Sequence, residues 1–437
     1  MNNLKENYTS ETSSNLSSDT NSDTSYKSYN TNDSEKSINE TNIDLTNDII
    51  NEYNVISKLG SGAFSMVWLV YSISDSQYYA LKVQNYDDYI DGIDEIKIHK
   101  RLPNDCKFLN KMIKYFIEER IITKKVRKFI CSVYELCCNN LDTLIRKGNY
   151  NKGFEEHTKH IFLQICKGIN ILHNNLKVFH GDLKPDNILL KGTSIRDSKY
   201  IEYYTNMNFN KKYKKLKEEQ WVNAGKNIKK IKTMPIEDKL NIRKKIHQEI
   251  INNLPDIKNE QYFISNKYFD VTIADFGHYC PDDEMHDDKF GTQMYQAPEI
   301  ILLGDCTNKV DIWALGCSLY EFLTGELLFD PWGDDDITTD LIHLNEIQNL
   351  FGKFDEKYVK KSKCYNTYFK ENKLKKYQND LHINNTTDFY TKLKQKLSNT
   401  IFSKDFENIY DLLTKMLHPI SYKRISINNI LDHKWFT

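Results

Sequence analysis

Apolar and polar positions alternate along residues 54–83, and this period of two predicts three consecutive strands. The segment reads NVISKLGSGAFSMVWLVYSISDSQYYALKV, with turn-forming residues at Ser74-Asp75-Ser76. A stretch with helical spacing follows, in which Asp94-Glu95-Ile96-Lys97 precedes Ile98 and Leu102. The pattern therefore predicts a β-rich unit in which one helix follows three strands.

Two segments of opposite charge interrupt this regular patterning. Residues 1–50 hold ten Asn, ten Ser and seven Thr, with nine acidic residues against three lysines. Such a segment cannot bury enough apolar surface to offset its chain entropy, so we predict a disordered acidic tail. Residues 199–250 hold 14 Lys and Arg against six acidic residues, which predicts a basic insert. Stretches such as Lys211–Lys217 are expected to form solvated helices within it.

The composition excludes several functional classes. A net charge of −1 argues against a nucleic-acid-binding protein whose whole chain is strongly basic. The basic insert also lacks the aromatic and glycine features of RNA-binding modules, so direct nucleic-acid binding is not expected. No apolar run is long enough for a membrane helix, and no secretory signal is recognisable, so we expect no membrane association. The nine cysteines are scattered without a CxxC pair, which favours a reducing, cytoplasmic compartment over a disulfide or zinc scaffold.

A glycine-rich turn between the first two predicted strands is a candidate phosphate cradle, because glycines let backbone N–H groups approach a ligand closely. A strand follows it rather than a helix, so it is not a dinucleotide-binding turn, and taken alone it fits a plain glycine hairpin equally well. In the strand ALKV, Lys82 is a candidate phosphate ligand that Glu95 could hold in place, although a lone strand lysine more often faces solvent. The nucleotide-binding candidates of the turn are Leu59, Gly60, Ser61, Gly62, Ala63, Phe64, Ser65, Met66 and Val67.

Four further motifs follow in order along the chain. They are VFHGDLKPDNILL at 178–190, VTIADFG at 271–277, YQAPE at 295–299 and DIWALGC at 311–317. This ordered set resembles the eukaryotic protein kinase family, and the resemblance covers about residues 53–436. It implies a bilobal α+β fold with ATP between the lobes: a small β-rich N-lobe at 53–137 and a large helical C-lobe at 138–437. The kinase domain would then span 53–437, with a basic spacer insert at about 192–268.

The resemblance implies chemical roles for individual residues. Asp182 would accept the proton of the substrate hydroxyl, and Lys184 would neutralise the transferring phosphate. A lysine two residues after this aspartate, where Lys184 stands, is typical of serine/threonine kinases. Asn187 and Asp275 would hold the Mg²⁺ ions that bridge the ATP phosphates. Taken singly, Asp182 and Asn187 fit loop-capping roles as well.

Other residues would shape the pocket or brace it. The hinge beside the adenine would run from Glu135 to Cys137, with Tyr134 gating the back of the pocket or serving as an ordinary core aromatic. Glu299 would pair with Arg424, and Asp311 would brace the catalytic loop, both as structural contacts.

Within the family, the chain is most similar to the SR-protein kinases, which phosphorylate serines in Arg-Ser repeats. The similarity includes the end of the glycine loop, the stretch Ile93–Lys97, the 81-residue separation of Leu190 and Val271, and the acidic run Asp334–Asp336. The chain departs from that group at three positions, Phe276, Gln296 and Pro298. Its 28 tyrosines and abundant Asn, Lys and Ile are typical of an A/T-rich genome, such as that of a large DNA virus or a protist.

Charge predicts both the substrate and the mode of regulation. Acidic residues crowd two segments and predict Arg-rich protein substrates, although solvated acidic runs are the plain alternative. Gly181 stands where many kinases carry the arginine that binds an activation-loop phosphate. The loop His278–Gly291 contains no Ser or Thr, and Tyr279 is its only hydroxyl, so we predict constitutive activity. We also expect the chain to be a monomer. The acidic residues are Asp282, Asp283, Glu284, Asp287 and Asp288, and Asp334, Asp335, Asp336 and Asp340.

Two alternative functions stay open from the sequence alone. One is a pseudokinase that acts as a scaffold, against which the intact Lys82, Asp182, Asn187 and Asp275 argue. The other is a serine/threonine kinase with a different substrate preference.

Overall fold

The structure is a computed structural model that describes residues 45, 47–62, 64–122, 124–146, 155–255, 269–282, 288–376 and 388–436. The chain divides into two units, 1–44 and 45–437, and every described residue belongs to the second. Four predicted features lie outside the described residues: most of the acidic tail, Ala63, the end of the insert at 256–268, and the activation-segment acids at 283–287.

A six-stranded antiparallel sheet and one helix form the first part of the described chain. The elements are β1 (Ile49–Ile50), β2 (Tyr53–Ser61), β3 (Ser65–Ser72), β4 (Tyr78–Gln84), α1 (Tyr89–Arg101), β5 (Lys114–Ile122) and β6 (Lys125–Tyr134). The strands lie in the order β1-β2-β3-β4-β6-β5. The three strands predicted from the alternating pattern are β2, β3 and β4, and the predicted helix is α1.

The larger, mostly helical part follows the sheet and is built around a helix that is buried from Val310 to Leu323. Its strands are β7 (Cys137–Asn140), β8 (Val178–Phe179), β9 (Ile188–Lys191), β10 (Val271–Ile273), β11 (Cys280–Pro281), β12 (Phe369–Lys370) and β13 (Lys373–Leu374). The helices are α2 (Leu141–Arg146), α3 (Glu155–Asn170), α4 (Ile195–Asn206), α5 (Phe209–Asn223), α6 (Ile236–Asn252), α7 (Pro298–Ile301), α8 (Lys309–Thr324), α9 (Asp336–Phe351), α10 (Glu356–Val359), α11 (Tyr365–Tyr368), α12 (Phe389–Leu397), α13 (Phe406–Met416) and α14 (Ile427–Leu431).

The β9–β10 pair closes the gap that the long spacer opens in the sequence. Val271 lies opposite Leu190 and Ile273 lies opposite Ile188, although the two strands are far apart along the chain. The pair holds the segments that carry Asn187 and Asp275 side by side. The bilobal α+β fold that the resemblance implies is therefore confirmed.

The basic insert forms the helices α4, α5 and α6, and no residue of the stretch Lys211–Lys217 is buried, as expected for a solvated helix. Apolar side chains of the three helices are nevertheless buried in one cluster with Ile56, Leu69 and Tyr71 of the N-lobe strands β2 and β3. Tyr71 of β3 contacts the rings of Tyr204 and Phe209, with centroids 5.1 and 5.9 Å apart. The insert lies within the predicted C-lobe range, yet it belongs by packing to the N-lobe. The physical reason is the apolar and aromatic spacing along the helices, which outweighs their positive charge: the buried residues are Tyr204, Phe209, Trp221, Ile242, Ile246 and Ile250.

The predicted boundary of the acidic tail at residue 50 is a few residues too late. Leu45 and Ile50 are 2 % and 1 % exposed, and Ile49–Ile50 pair with β2. Asp48 adds an ion pair with Arg120 of β5, at 2.6 Å between Oδ2 and Nη1. Because these apolar side chains pack in the sheet, the last residues of the polar segment are ordered.

Among the helices of the described residues, none has both the length and the apolar character to cross a membrane.

Candidate active site

A buried ion pair joins the sheet to its helix. The Lys82 Nζ on β4 lies 2.9 and 2.8 Å from the two carboxylate oxygens of Glu95 on α1, and 3.0 Å from Asp275 Oδ1. Burial by itself would raise the pKa of Glu95, but the charge of Lys82 outweighs it and lowers the pKa to about 2. Burial likewise opposes the charge on Lys82, but Glu95 and Asp275 raise its pKa above the usual value. The lysine is thus held as a cation at one place in the cleft.

Two aromatic side chains support this pair from behind. The hydroxyl of Tyr134 lies 3.4 Å from Glu95 Oε1 and 3.3 Å from His99 Nε2. His99 Nδ1 accepts the backbone N–H of Met112, so in the neutral ring Nε2 carries the proton and donates to Tyr134. Tyr134 therefore does more than fill the core, because its hydroxyl connects α1 to β6. His99, with no recognisable motif around it, was missed in the sequence.

The catalytic-loop candidates are also assembled. Lys184 Nζ lies 2.8 Å from Asp182 Oδ2 and 2.6 Å from Thr292 Oγ1. Asp182 Oδ1 accepts the backbone N–H and the hydroxyl of Thr292, both at 2.8 Å. Burial would raise the pKa of Asp182, yet the lysine and the Thr292 hydrogen bond lower it below its ordinary value. The carboxylate is therefore ionised at neutral pH, and Asn187 Nδ2 lies 3.4 Å from its Oδ2.

The backbone of this loop is fixed by a buried aspartate. Asp311 accepts the N–H groups of His180 and Gly181 at 2.8 and 3.1 Å and is 2.8 Å from His173 Nε2, which forms the brace expected from the resemblance. His180 continues the chain of contacts. Its Nδ1 accepts the N–H of Asp182, so its Nε2 donates to the carbonyl of Ala274 at 3.0 Å. The loop and the segment before Asp275 are thereby tied together.

Asn187 and Asp275 offer oxygen atoms near this loop. Asn187 uses its amide nitrogen to donate to the Asp182 carbonyl at 2.8 Å, so its amide oxygen is the atom left for a metal. Asp275 adopts a φ of 64°, and its side chain is 49 % exposed. The described residues contain no cluster of three or more His, Cys, Asp or Glu that could hold a metal. Two oxygen donors fit Mg²⁺, which usually completes its shell with water and substrate phosphates.

The glycine-rich turn leaves room for a ligand. A Cβ built on Gly60 or Gly62 would meet no protein atom within 4 Å, and neither residue has a positive φ. The packing of the protein therefore does not require glycine there, whereas the close approach of a phosphate would. The β2–β3 register places Gly60 opposite Val67 and Ser61 opposite Met66, and Gly62 N–H donates to the Ser65 carbonyl.

An apolar cluster lies below this turn. Leu59 and Val67 pack with Ala80, Tyr134 and Leu136, which forms a surface suited to an adenine ring. Ala80 was not among the residues singled out in the sequence.

The remaining nucleotide-binding candidates differ in their placement. Met66 alternates with Val67 on β3 and is buried on the opposite face, so its side chain does not belong to this surface, contrary to the prediction. Phe64 is exposed. At the hinge, Glu135 is exposed, while Cys137 begins β7 and pairs with Lys191.

The predicted buried pair Glu299–Arg424 also forms. Arg424 donates from Nη1 and Nη2 to the two carboxylate oxygens of Glu299 at 2.7 and 3.0 Å, and both side chains are almost fully buried. This bidentate pair joins α7 to the segment before α14 and has no exposed surface for substrate.

Three acidic residues that the sequence motifs did not single out, Asp142, Asp186 and Glu321, influence one another electrostatically near the catalytic loop. Burial raises the pKa of Asp186, and the charge of Asp142 raises it further. Burial and the charges of Asp142 and Asp186 also raise the pKa of Glu321. The Tyr295 hydroxyl, which donates to Glu321 at 2.5 Å, opposes this rise. Lys184 and Arg146 oppose the rise in the pKa of Asp186, and Arg146 also binds Asp142 with two contacts of 2.8 Å. Negative charge on these neighbouring groups still raises the pKa values of Asp186 and Glu321.

The acidic residues predicted to bind substrate do not share one role. Asp282 accepts the backbone N–H and the side-chain amide of Asn308, at 2.6 and 2.9 Å. Asp335 is the N-cap of α9 and accepts from Thr338 N. Asp340 is buried and bonded to Gln293, Lys289 and Tyr368. These three acids are occupied by contacts within the fold, whereas Asp334 and Asp336 are exposed.

Comparisons with known proteins agree with this geometry. The protein kinase domain family matches residues 53–202 and 243–436. The "Putative serine/threonine-protein kinase L205" of Acanthamoeba polyphaga mimivirus is 27 % identical, over 88 % of this chain and 86 % of that protein. Human dual specificity protein kinase CLK1 is 25 % identical, over 88 % of this chain and 66 % of that protein, so the chain spans just under two thirds of its length. The serine/threonine-protein kinase SRPK of Physarum polycephalum is 27 % identical, over 72 % of this chain and 71 % of that protein. The chain therefore belongs to the protein kinase family, as a serine/threonine protein kinase related to the SRPK and CLK kinases.

Proposed function

We propose that this kinase transfers the γ-phosphate of ATP, with Mg²⁺, to serine or threonine in Arg-rich protein segments. The observation that carries the proposal is the joint assembly of two sets of residues in one cleft. Lys82 is held by Glu95 and Asp275, and Asp182 is held by Lys184 and Thr292. Phosphoryl transfer depends chiefly on positioning and charge neutralisation, and both sets provide them.

The N-lobe side of the cleft would bind the nucleotide. The open space at Gly60 and Gly62 suits the phosphates, and the surface of Leu59, Val67 and Ala80 suits the adenine. Lys82 would hold two phosphates by charge, and Glu95 would keep it in place. Asn187 and Asp275 would hold Mg²⁺, which neutralises phosphate charge when bound.

The C-lobe side would bind the acceptor hydroxyl. Asp182, ionised at neutral pH, would accept the hydrogen bond of the hydroxyl and orient its oxygen toward the phosphate. Lys184 lies within hydrogen-bond distance of both Asp182 and Thr292, where its charge would offset the negative charge that develops on the transferring group.

The local charge supports an Arg-rich acceptor. Asp142, Asp186 and Glu321 repel one another electrostatically at the loop that carries Asp182, although Lys184 and Arg146 offset part of this charge. Arginine binds carboxylates through a planar, permanently charged group, so an arginine of the substrate would relieve this repulsion. A second acidic surface includes the exposed Asp334 and Asp336, although it is smaller than the sequence suggested.

A peptide panel tests the proposal. The purified chain with Mg²⁺ and ATP would be offered Arg-Ser repeats, the same peptides with Lys for Arg, and peptides in which Asp or Glu flanks the serine. We expect the Arg-Ser peptides to be phosphorylated fastest at moderate salt. Faster transfer to the acidic peptides would overturn the substrate preference. Nucleotide binding without transfer to any peptide would support the scaffold alternative.

We further propose that the kinase acts as a cytoplasmic monomer. All the residues assigned to the cleft come from one chain, so no second copy is needed to complete it. The scattered cysteines without paired spacing support a reducing compartment.

A further inference from the structure

Asp340 on α9 is a buried acidic side chain with three polar partners. Its Oδ1 accepts Gln293 Nε2 at 3.1 Å, and its Oδ2 accepts the Tyr368 hydroxyl at 2.5 Å. Lys289 forms an ion pair with the same Oδ2 and also lies 3.1 Å from the Tyr368 hydroxyl. Asp340 is 2 % exposed, so its charge depends on these partners rather than on water.

The partners come from different parts of the chain. Lys289 and Gln293 belong to the segment between Asp275 and Glu299, which is the activation segment of a kinase, whereas Tyr368 lies on α11. A buried carboxylate that loses its cation carries a large desolvation penalty. Conformations of the activation segment that withdraw Lys289 and Gln293 from Asp340 are therefore disfavoured.

The activation segment also contacts the catalytic loop, through the residue that precedes Gln293. Thr292 precedes Gln293, and its N–H and hydroxyl both donate to Asp182 Oδ1 at 2.8 Å. On the other side of Gln293, the side chain of Gln296 donates to the carbonyls of Phe290 and Gly291 at 3.0 and 3.3 Å. A shift of the segment at Gln293 would thus move the group that contacts Asp182.

We propose that Asp340 is a positioning residue for phosphoryl transfer, which anchors the activation segment through Lys289 and Gln293 and so holds Thr292 against Asp182. This inference rests on the function proposed above. In kinases regulated by loop phosphorylation, a phosphate on the segment is bound by arginine elsewhere. Here the positions are exchanged: the segment carries the basic side chain, Lys289, and the body of the C-lobe carries the acidic one, Asp340.

The test compares Asp340→Asn, Lys289→Met and the double variant with the wild-type full chain. Each single variant should lower kcat for an Arg-Ser peptide about 10- to 100-fold, because small displacements of positioned groups have effects of that size. The KM for ATP should stay unchanged, since Lys82 and the glycine-rich turn do not contact the anchor. The double variant should be no worse than either single variant, because the two residues act as one pair. Lys289→Arg should retain most of the activity.

A second readout does not depend on catalysis. Hydrogen exchange of the amides at 288–296 should accelerate in both single variants, while that of β4 and α1 should not change. This measurement separates failure of the anchor from failure of the proposed function. Lys289 is partly exposed, so Lys289→Met decides the outcome if Asp340→Asn does not fold.

The matched controls remove an exposed ion pair from the same lobe. Lys360 and Glu356 pair across one turn, and each is about half exposed, so Lys360→Met and Glu356→Gln should behave like the wild type. Unchanged kcat and unchanged exchange at 288–296 in Lys289→Met would overturn the proposal. A loss in which kcat, the KM for ATP and thermal stability all change together would also overturn it, because that is the mark of a general structural role.

Discussion

Gly181 of the catalytic loop packs its backbone directly against the carbonyl of His278 in the activation segment. Gly181 has a φ of +82°, and a Cβ built on it would clash with that carbonyl oxygen. Gly291 closes the other side, since a Cβ there would lie 2.6 Å from the Gly181 carbonyl oxygen. The position that holds an arginine in many kinases is therefore the place where two backbone segments touch.

Gly181→Ala should lower both activity and stability. The positive φ costs a side chain about 1–2 kcal/mol, and the clash with His278 adds to it by displacing the activation segment. The measurement is kcat for an Arg-Ser peptide together with urea unfolding. Gly225→Ala is the matched control, because Gly225 has a φ of +68° but open space around its Cβ. Equal effects of the two substitutions would show that the contact with His278 has no special importance.

Phosphatase treatment should leave the activity of bacterially produced protein unchanged. Gly181 offers no charge to a phosphate, and the segment is already tied by Asp282 to Asn308 and by Lys289 to Asp340. The measurement is the initial rate before and after treatment, with mass spectrometry of the segment. A large fall in rate that follows the loss of a phosphate from the segment would contradict this prediction.

Asp182→Asn should abolish transfer while nucleotide binding survives. The amide cannot take the proton of the acceptor hydroxyl, and we expect kcat to fall about 10²- to 10⁴-fold. Titration with Mg²⁺ and ATP should give a dissociation constant close to that of the wild type, since Lys82, Glu95 and the glycine-rich turn are untouched. Asp305→Asn, which changes an exposed aspartate, is the control. Substantial activity in Asp182→Asn would exclude the assigned role of the carboxylate.

Asp186→Asn should weaken the preference for arginine. Removal of one charge from the Asp142, Asp186 and Glu321 cluster should raise the KM for an Arg-flanked peptide about tenfold, equivalent to about 1.4 kcal/mol. The KM of the wild type should also rise more steeply with salt than that of the variant. A peptide without charged flanks is the control and should be unaffected. Equal losses on both peptides would point to a disturbed catalytic loop instead.

The contact between the insert and the N-lobe should weaken in acid because of His247. Tyr204 donates to its Nδ1 at 3.0 Å and its Nε2 donates to the Val55 carbonyl at 2.9 Å, so the ring is buried in its neutral form. The pKa of His247 is lowered to about 4, chiefly because the ring is buried. The charge of Arg243 also lowers the pKa, whereas the hydrogen bond to Val55 and the charge of Asp48 raise it. Since the folded pKa is the lower one, the unfolded chain takes up the proton first. Stability therefore falls as the pH decreases from about 6.5 to about 4.

His247 alone should account for a loss of about 1.6 kcal/mol between pH 6.5 and 5, measured by urea unfolding at the two pH values. His247→Gln cannot titrate, so its stability should depend less on pH. Burial also lowers the pKa of His343, to about 3. The variant should therefore still lose some stability in acid, because His343 remains in it. The same pH dependence in the wild type and in His247→Gln would rule out this residue as the cause.

The local sequence was sufficient for the strands and for most of the cleft. Lys82, Asp182, Asn187 and Asp275 occur in short motifs that resemble those of protein kinases, so their roles could be proposed without a structure. The structure places Lys82 beside Asp275 and Asn187 beside Asp182. The alternation of β2, β3 and β4 reflects one buried face of a sheet, which is a property of neighbouring positions alone. Met66 shows where such motifs fail. The glycine-loop motif is a run of consecutive residues, but successive side chains of a strand point to opposite faces of the sheet, so Met66 and Val67 cannot both face the nucleotide.

Only the tertiary structure decided where the insert packs and what each acidic residue does. The helix α6 has the apolar spacing Ile242, Ile246 and Ile250, which states that one face is buried but not against which surface. Asp336 and Asp340 are four residues apart and look alike in the sequence. One is exposed, while the other is buried because Lys289, Gln293 and Tyr368 meet it from distant parts of the chain. Burial and pairing depend on such long-range partners, and the free energy of a charged group depends on both, so its role is a property of the fold rather than of its neighbours in the chain.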